Sequence, residues 1–446
     1  MPFADDSTSD RLSAREKLAL ALFGVAVVAF GALVVWRAAY QQERKTDFGV
    51  YARAGFAVRK GLDLYATTTC DDRGWHYCYP STFAIAMAPL GDPFFWENRD
   101  GYLPFGVSVG IWYLLSVGCT AFTVHALAKA ALPDLARGSR RWWYARMVPV
   151  YLCIGGIGYT LSRGQINLLV LMFLAGMFAA SIRKQPIRAG LWFAAAVALK
   201  VIPLAFALFA VVRFLRPGGR REWRVGLGFV LGLVVLLGVV PTLVFGFDGM
   251  VRSHVEFVDT VLAPGAFGTG DQTRARELTD ATATDSQSFL VVTHNLRYPD
   301  PAQRPPTVDT TTRAIALSLS GLLVLVTFLV GVLRLSPAPP DQLIYLGSLG
   351  AIMLLLSPVA HVHYYVYLLP LVAGLWLKGL AARPAGVRAD RRTMFVLIAW
   401  SIATTVPLLP DPASLAARDF GLGTAATTAL WAFGMVRIAR RFPAPI

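Results

Sequence analysis

Eleven apolar runs follow one another along the chain, at 17–36, 106–132, 143–161, 165–182, 187–213, 223–246, 313–334, 342–357, 364–380, 393–410 and 421–436. A helix needs about 20 apolar residues to cross a bilayer, and a lipid-exposed backbone must satisfy its own hydrogen bonds. The chain therefore reads as an all-α polytopic membrane protein. Its composition agrees. Only 15% of the 446 residues are charged, and the mean hydropathy is +0.53. A soluble globular domain, a disordered chain, a collagen, a coiled coil and a disulfide scaffold are all excluded on that basis.

Two polar stretches interrupt the pattern. The first, 37–105, holds a short apolar piece at 82–90, expected as an interfacial helix. The second, 247–311, includes the proline-rich residues 299–306, with Pro299, Pro301, Pro305 and Pro306, which read as loop. The positive-inside rule orients the chain. Arg11, Arg15 and Lys17 place the N-terminus inside. Arg137, Arg140 and Arg141 form one inside loop, Arg183, Lys184 and Arg188 a second, and Arg213 to Arg224 a third. Lys378 to Arg392 form a fourth, and Arg437, Arg440 and Arg441 hold the C-terminus inside.

Two inside termini require an even number of crossings, and eleven is odd. The conflict falls on 187–213, whose two flanks both call for the inside. It disappears if that run is two short helices with a turn at Lys200-Val201-Ile202-Pro203. The expectation is thus about 12 transmembrane helices (11–13) in a single domain, 1–446, with 37–105 and 247–311 both extracytoplasmic. The net charge of +15 becomes a topology signal facing anionic lipid rather than a nucleic-acid stripe. The first run is long enough to serve as an uncleaved anchor. Cys119 and Cys153 sit in apolar runs as inert thiols. Cys70 and Cys78 share a polar loop, where pairing and free thiols are both open.

Polar groups at membrane depth are functional candidates, and five sets gather on the outer side. Asp47, in Thr46-Asp47-Phe48-Gly49-Val50-Tyr51, is either a general base or a loop carboxylate paired with Lys45 or Arg44. Tyr79-Pro80-Ser81 leads into the short apolar piece. Arg163-Gly164-Gln165-Ile166-Asn167 joins a phosphate-binding side chain to two sugar-type amides, or is a turn with a snorkelling arginine. Lys200, set among Ala, Val, Leu and Ile, calls for an anionic partner, which is either a lipid-borne phosphate or a distant Asp. His361, His363 and Tyr364 follow Ser357-Pro358. With no carboxylate or cysteine beside these histidines, phosphate or sugar contacts suit them better than a metal ion. Asp285-Ser286-Gln287-Ser288-Phe289 adds a compact polar segment to the long outer loop. The sequence holds no Walker loop, dinucleotide fingerprint or HExxH motif.

Taken in order, these motifs resemble one family. They are Thr46-Asp47-Phe48-x-Val50-Tyr51, Ala54-Gly55, Gly61-x-x-Leu64-Tyr65, Tyr79-Pro80, Ala88-Pro89-Leu90, Gly164-Gln165-x-Asn167, Leu199-Lys200-x-x-Pro203, Gln287-Ser288, and Ser357-Pro358 before His363-Tyr364. The set is similar to glycosyltransferase family 87, whose members are GT-C membrane enzymes like the polyprenol-phosphate-mannose-dependent α-mannosyltransferases. The resemblance runs from about residue 46 to 370. It implies a GT-C-like fold and inverting transfer of a hexose from a polyprenyl-phosphate carrier to a lipid or glycan acceptor on the extracytoplasmic face of the cell membrane. It also implies Asp47 as base and His363 or His361 in the active site, with no cofactor or metal. Tyr51, Tyr79, Arg163, Gln165, Asn167, Lys200, Gln287, Ser288 and Tyr364 are the expected substrate contacts.

Two competing readings share the helix count. A transporter or flippase of a lipid-linked sugar needs a midplane site with broken helices. A surface-polysaccharide ligase or polymerase would call for more arginines at the site. Polar groups collected on one face, beside two long outer loops, favour the transferase.

Overall fold

The computed structural model describes residues 11–42, 44–66, 76–93, 97–216, 219–267, 278, 286–383 and 390–440; Cys70 and Asp285 fall outside them. Helices make up the described residues, apart from turns, loops and one isolated bridge between Ser286 and His361. In chain order they are α1 (Ala14–Gln41), α2 (Asp47–Lys60), α3 (Ser81–Met87), α4 (Phe105–Ala131), α5 (Arg140–Leu152), α6 (Ile154–Arg163), α7 (Asn167–Ile182), α8 (Pro186–Leu199) and α9 (Ile202–Leu215). There follow α10 (Trp223–Gly265), α11 (Phe289–Arg297), α12 (Thr310–Arg334), α13 (Pro339–Leu356), α14 (Val362–Ala381), α15 (Arg391–Thr405), α16 (Ala413–Asp419) and α17 (Leu422–Ala439).

Among the described residues, α1, α4, α10, α12, α13, α14 and α17 are long and apolar enough to cross a bilayer by themselves. The other expected crossings fall on shorter or broken helices. The run 143–161 divides into α5 and α6 at Cys153 (φ −100°, ψ 12°), one turn after Pro149, which removes one N–H from the ladder inside α5. Burial separates the inner helices from the lipid-facing ones. In α13 and α14 about four-fifths of the apolar window is covered by protein, against 11% in α1 and 17% in α10. Local chemistry sets the helix starts. The side chains of Thr46, Ser139, Ser288, Asp309 and Asp390 accept hydrogen bonds from the backbone N–H of the first turns of α2, α5, α11, α12 and α15. Ser13 and Glu16 form a reciprocal capping box on α1.

The break expected inside 187–213 is present. Helix α8 ends at Leu199, Lys200 is extended (φ −154°, ψ 126°), and Pro203 sits in the first turn of α9. Helices α8 and α10 run side by side in the same direction. A Cβ on Gly228 would lie 2.2 Å from the Ile187 carbonyl, and one on Gly232 would lie 2.5 Å from the Ala194 methyl, so position rises together on both helices. Residues 200–222 must therefore return to the end where α8 began. Arg216 does so, donating to the Gly331 and Val332 carbonyls in the last turn of α12.

Helices also form inside both polar stretches. Within 37–105, expected as a large outer loop carrying short interfacial helices, α2 folds beside α3. Its inner face carries Phe48, Tyr51, Ala52 and Phe56, all at most 1% exposed. Buried Asp92 ties this segment down, pairing with Arg44 (2.9 Å) and Arg99 (2.6 Å), while its carbonyl accepts from Arg53 (2.9 Å). The stretch 247–311 opens on helix. Helix α10 continues through it to Gly265, with a kink at Gly246 (φ 74°).

Candidate active site

Helix α2 begins at the site. Thr46 caps it, with its hydroxyl accepting from the Gly49 N–H at 3.2 Å, and Asp47 occupies the first turn, where the helix dipole suits an anion. The Asp47 carboxylate is half-buried and receives the Arg163 Nε–H at 2.5 Å. Arg44, one of the two neighbours expected to pair with Asp47, is held by Asp92. Arg163 is the last residue of α6 and stands over the Tyr159 ring at 6.0 Å.

Gly164 makes this approach possible. It ends α6 in the left-handed conformation (φ 69°), and a Cβ there would lie 2.6 Å from the Phe48 Cβ. The Trp112 indole donates to its carbonyl at 2.8 Å. Only glycine permits both the backbone angle and the contact with α2. Gln165 follows, its Oε1 accepting from the hydroxyls of Tyr51 (3.0 Å) and Tyr79 (3.4 Å), which are themselves 3.0 Å apart. Burial pushes the Tyr51 and Tyr79 phenols well above their ordinary range, a neighbouring phenol and the Asp47 charge adding to it. Both stay neutral hydrogen-bond donors.

Behind this layer sits Lys200, 6% exposed. Its ammonium donates to Asn167 Oδ1 at 3.0 Å and lies 4.3 Å from the Tyr364 ring centre and 5.4 Å from that of Tyr79. Asn167 Oδ1 also accepts from Tyr367 at 3.1 Å. No carboxylate among the described residues hydrogen-bonds to Lys200, so the distant-Asp alternative is not what is found. Asp47 acts on it electrostatically, without contact. A buried cation with ring faces and one amide around it is left with capacity for an anion.

The His361–Tyr364 segment closes the cluster. The His363 carbonyl accepts from Thr160 (3.1 Å) and Asn167 (3.4 Å), while both of its ring nitrogens are buried without a hydrogen-bond partner. Its ring is 5.3 Å from that of His361 and 4.6 Å from that of Tyr364. His361 and Tyr364 are half-buried. Asp47, Tyr51, Tyr79, Arg163, Gln165, Asn167, Lys200, His361, His363 and Tyr364 are thus brought together from α2, the 77–80 turn, the α6–α7 turn, the α8 end and the start of α14.

Gln287 and Ser288, expected as substrate contacts, direct their hydrogen bonds to residues outside the cluster. Both are fully buried and spent on the protein. The Gln287 N–H donates to the Ala360 carbonyl (2.7 Å), its Nε2 to the Arg418 carbonyl (3.0 Å), and its Oε1 accepts from Tyr365 (3.3 Å). Ser288 caps α11 and donates to the Pro358 carbonyl at 3.1 Å. They brace the histidine segment instead of facing the cluster. Conversely, Tyr159, Thr160, Trp112 and Tyr367 support the site without a sequence signal, because each acts only through a partner far along the chain. Among the described residues no group of three or more His, Cys, Asp or Glu is placed to hold a metal ion.

The fold and site define a multi-pass membrane protein with one carboxylate, two cations and a set of neutral hydroxyls and amides on one face. The chain belongs to glycosyltransferase family 87, whose family model matches residues 77–358, and it is a membrane glycosyltransferase. That match includes Tyr79, Arg163, Gln165, Asn167 and Lys200; Asp47, Tyr51, His361 and His363 lie outside it. The chain is also similar to a polyprenol-phosphate-mannose-dependent alpha-(1-2)-phosphatidylinositol mannoside mannosyltransferase of Mycobacterium tuberculosis. They are 24% identical over 402 residues, covering 87% of this chain and 83% of the relative.

Proposed function

We propose that the protein transfers a hexose, mannose in the first instance, from a polyprenyl-phosphate carrier to a lipid or glycan acceptor on the extracytoplasmic face, with inversion at the anomeric carbon. One observation carries the reading. Asp47 is the lone carboxylate among the clustered residues, and Arg163 and Lys200 flank it without a second acid. An inverting transfer from a phosphate leaving group asks for that set.

In this mechanism the acceptor hydroxyl gives its proton to Asp47 as its oxygen bonds to C1 of the sugar. The bond from C1 to the phosphate oxygen breaks, and the electron pair leaves with polyprenyl phosphate. Lys200 and Arg163 stabilise the charge that grows on the phosphate, and that anion is what the buried ammonium lacks. Because phosphate leaves readily, no separate acid is needed. The unpartnered ring nitrogens of His363, with Tyr51, Tyr79 and Gln165, offer hydrogen bonds to phosphate or sugar hydroxyls. The relative named above uses polyprenol-phosphate-mannose, which supports mannose as the first donor to try. The basic loops at the opposite end of the helices support an extracytoplasmic site.

The test compares membranes holding equal amounts of wild type and Asp47→Asn, supplied with radiolabelled polyprenyl-phosphate-mannose. Transfer of label by wild type and its loss in the variant is expected. Equal transfer by both removes Asp47 as base, and no transfer by wild type removes mannose as the sugar.

A further inference from the structure

A groove of about 810 Å³ runs between α1, α4, α5 and α6, walled by apolar residues such as Phe23, Phe30 and Ile157. Its far end is different. There Arg146 lines the wall at 6% exposure. Its Nη1 donates to the Trp142 carbonyl (2.8 Å), its Nε donates to His125 Nδ1 (3.3 Å), and its guanidinium stacks 3.8 Å from the Trp142 ring centre. Among the described residues no carboxylate pairs with it. Four other cations at the same end of the bundle do have carboxylate partners, while Arg141 and Arg216 donate to backbone carbonyls. Arg140 pairs with Glu16, Arg213 with Glu222, Lys378 with Asp341 and Arg437 with Asp390. The charges that act most strongly on His125 are cationic: Arg146, Lys129, Arg137 and Arg183.

The depth of the guanidinium matters. By bonding to the carbonyl four residues earlier, it sits level with the first turn of α5, at the membrane edge where Trp142 and Trp143 belong. His125 follows Trp112, which touches the active-site turn, by thirteen residues along α4. At 1.5 Å per residue that is about 20 Å, so a headgroup on Arg146 is far from Asp47.

We propose that this groove holds one anionic glycerophospholipid of the leaflet bordering the basic loops, its phosphate on Arg146 and an acyl chain along the groove. The lipid supplies the anion that the protein withholds from Arg146. It also fills the gap between α5 and the sparsely covered α1, which leads directly into the Asp47 segment.

The experiment reads lipid retention instead of sugar transfer, so it stands or falls apart from the donor assignment. The full-length protein in mild detergent is titrated with phosphatidylglycerol and with phosphatidylcholine, and bound lipid is counted by native mass spectrometry. Wild type is expected to prefer phosphatidylglycerol by about tenfold, because phosphatidylcholine carries the same phosphodiester but adds an ammonium that the cations around His125 repel. Arg146→Met is expected to bind the two alike. Gly158→Phe, which projects into the groove where Gly158 has open space, is expected to lose both. Three results overturn the proposal: equal retention of the two lipids by wild type, which decides even where Arg146→Met fails to fold; an unchanged preference in Arg146→Met; and displacement of phosphatidylglycerol by equimolar polyprenyl phosphate, which makes the groove a carrier site.

Discussion

Gly164→Ala tests whether the active-site geometry depends on one left-handed turn. The turn costs glycine nothing, but alanine at φ 69° costs about 1–2 kcal/mol. The new methyl then meets the Phe48 Cβ at 2.6 Å, where carbon atoms prefer about 3.5–4.0 Å. The strands of chain on either side must part by about 1 Å, and their neighbours are Arg163 on one and Asp47 on the other. A misplacement of about 1 Å at reacting groups costs roughly 100-fold in rate. We expect kcat/KM for sugar transfer to fall about 100-fold, with a loss of stability near the backbone cost. The control is Gly158→Ala, on the same helix with no atom within 4 Å of the added methyl, which should transfer like wild type. The assay is radiolabel transfer by purified protein in lipid nanodiscs, with thermal unfolding followed by tryptophan fluorescence. A folded Gly164→Ala protein with wild-type turnover would refute the claim that this turn sets the distance between Asp47 and Arg163.

Two further outcomes are expected. Lys200→Met should raise KM for the polyprenyl-phosphate donor roughly 10- to 100-fold, from the loss of one charge-assisted contact, while thermal stability holds or rises, because a buried ammonium without a carboxylate is costly; an unchanged KM across a donor titration would remove Lys200 from the phosphate site. At the start of α12 the Thr312 N–H, and then Arg297, hold the Asp309 carboxyl well below its ordinary 3.8. A depressed folded-state value contributes stability above the unfolded value that disappears as pH falls toward the folded one, so Asp309→Asn should melt lower than wild type at pH 7, and the gap should narrow below about pH 4; a gap independent of pH would sink the assignment.

The membrane class was legible in sequence because hydrocarbon imposes a length and a composition on each run, and both are local properties. The break at Lys200 was legible for a related reason: a charge and a proline within one apolar run conflict with a continuous span, and the loop charges demanded an extra turn. The motifs also named most of the side chains that the fold gathers.

What sequence could not decide was partnership. Asp47 stood beside Arg44 in the chain, yet it pairs with Arg163, 116 residues away, while Arg44 turns to Asp92. Gln287 and Ser288 had the polarity of ligand contacts, but their hydrogen bonds close on the backbone of residues 358, 360 and 418 and on the hydroxyls of Tyr365 and Thr424, so they hold a strap in place. Helix α2 was hidden because its apolar face is short and becomes stable only against α4 and the aromatic cluster around Trp112. Periodicity and charge are written residue by residue. Which donor meets which acceptor depends on packing between segments distant in the chain, and only the folded bundle settles that competition.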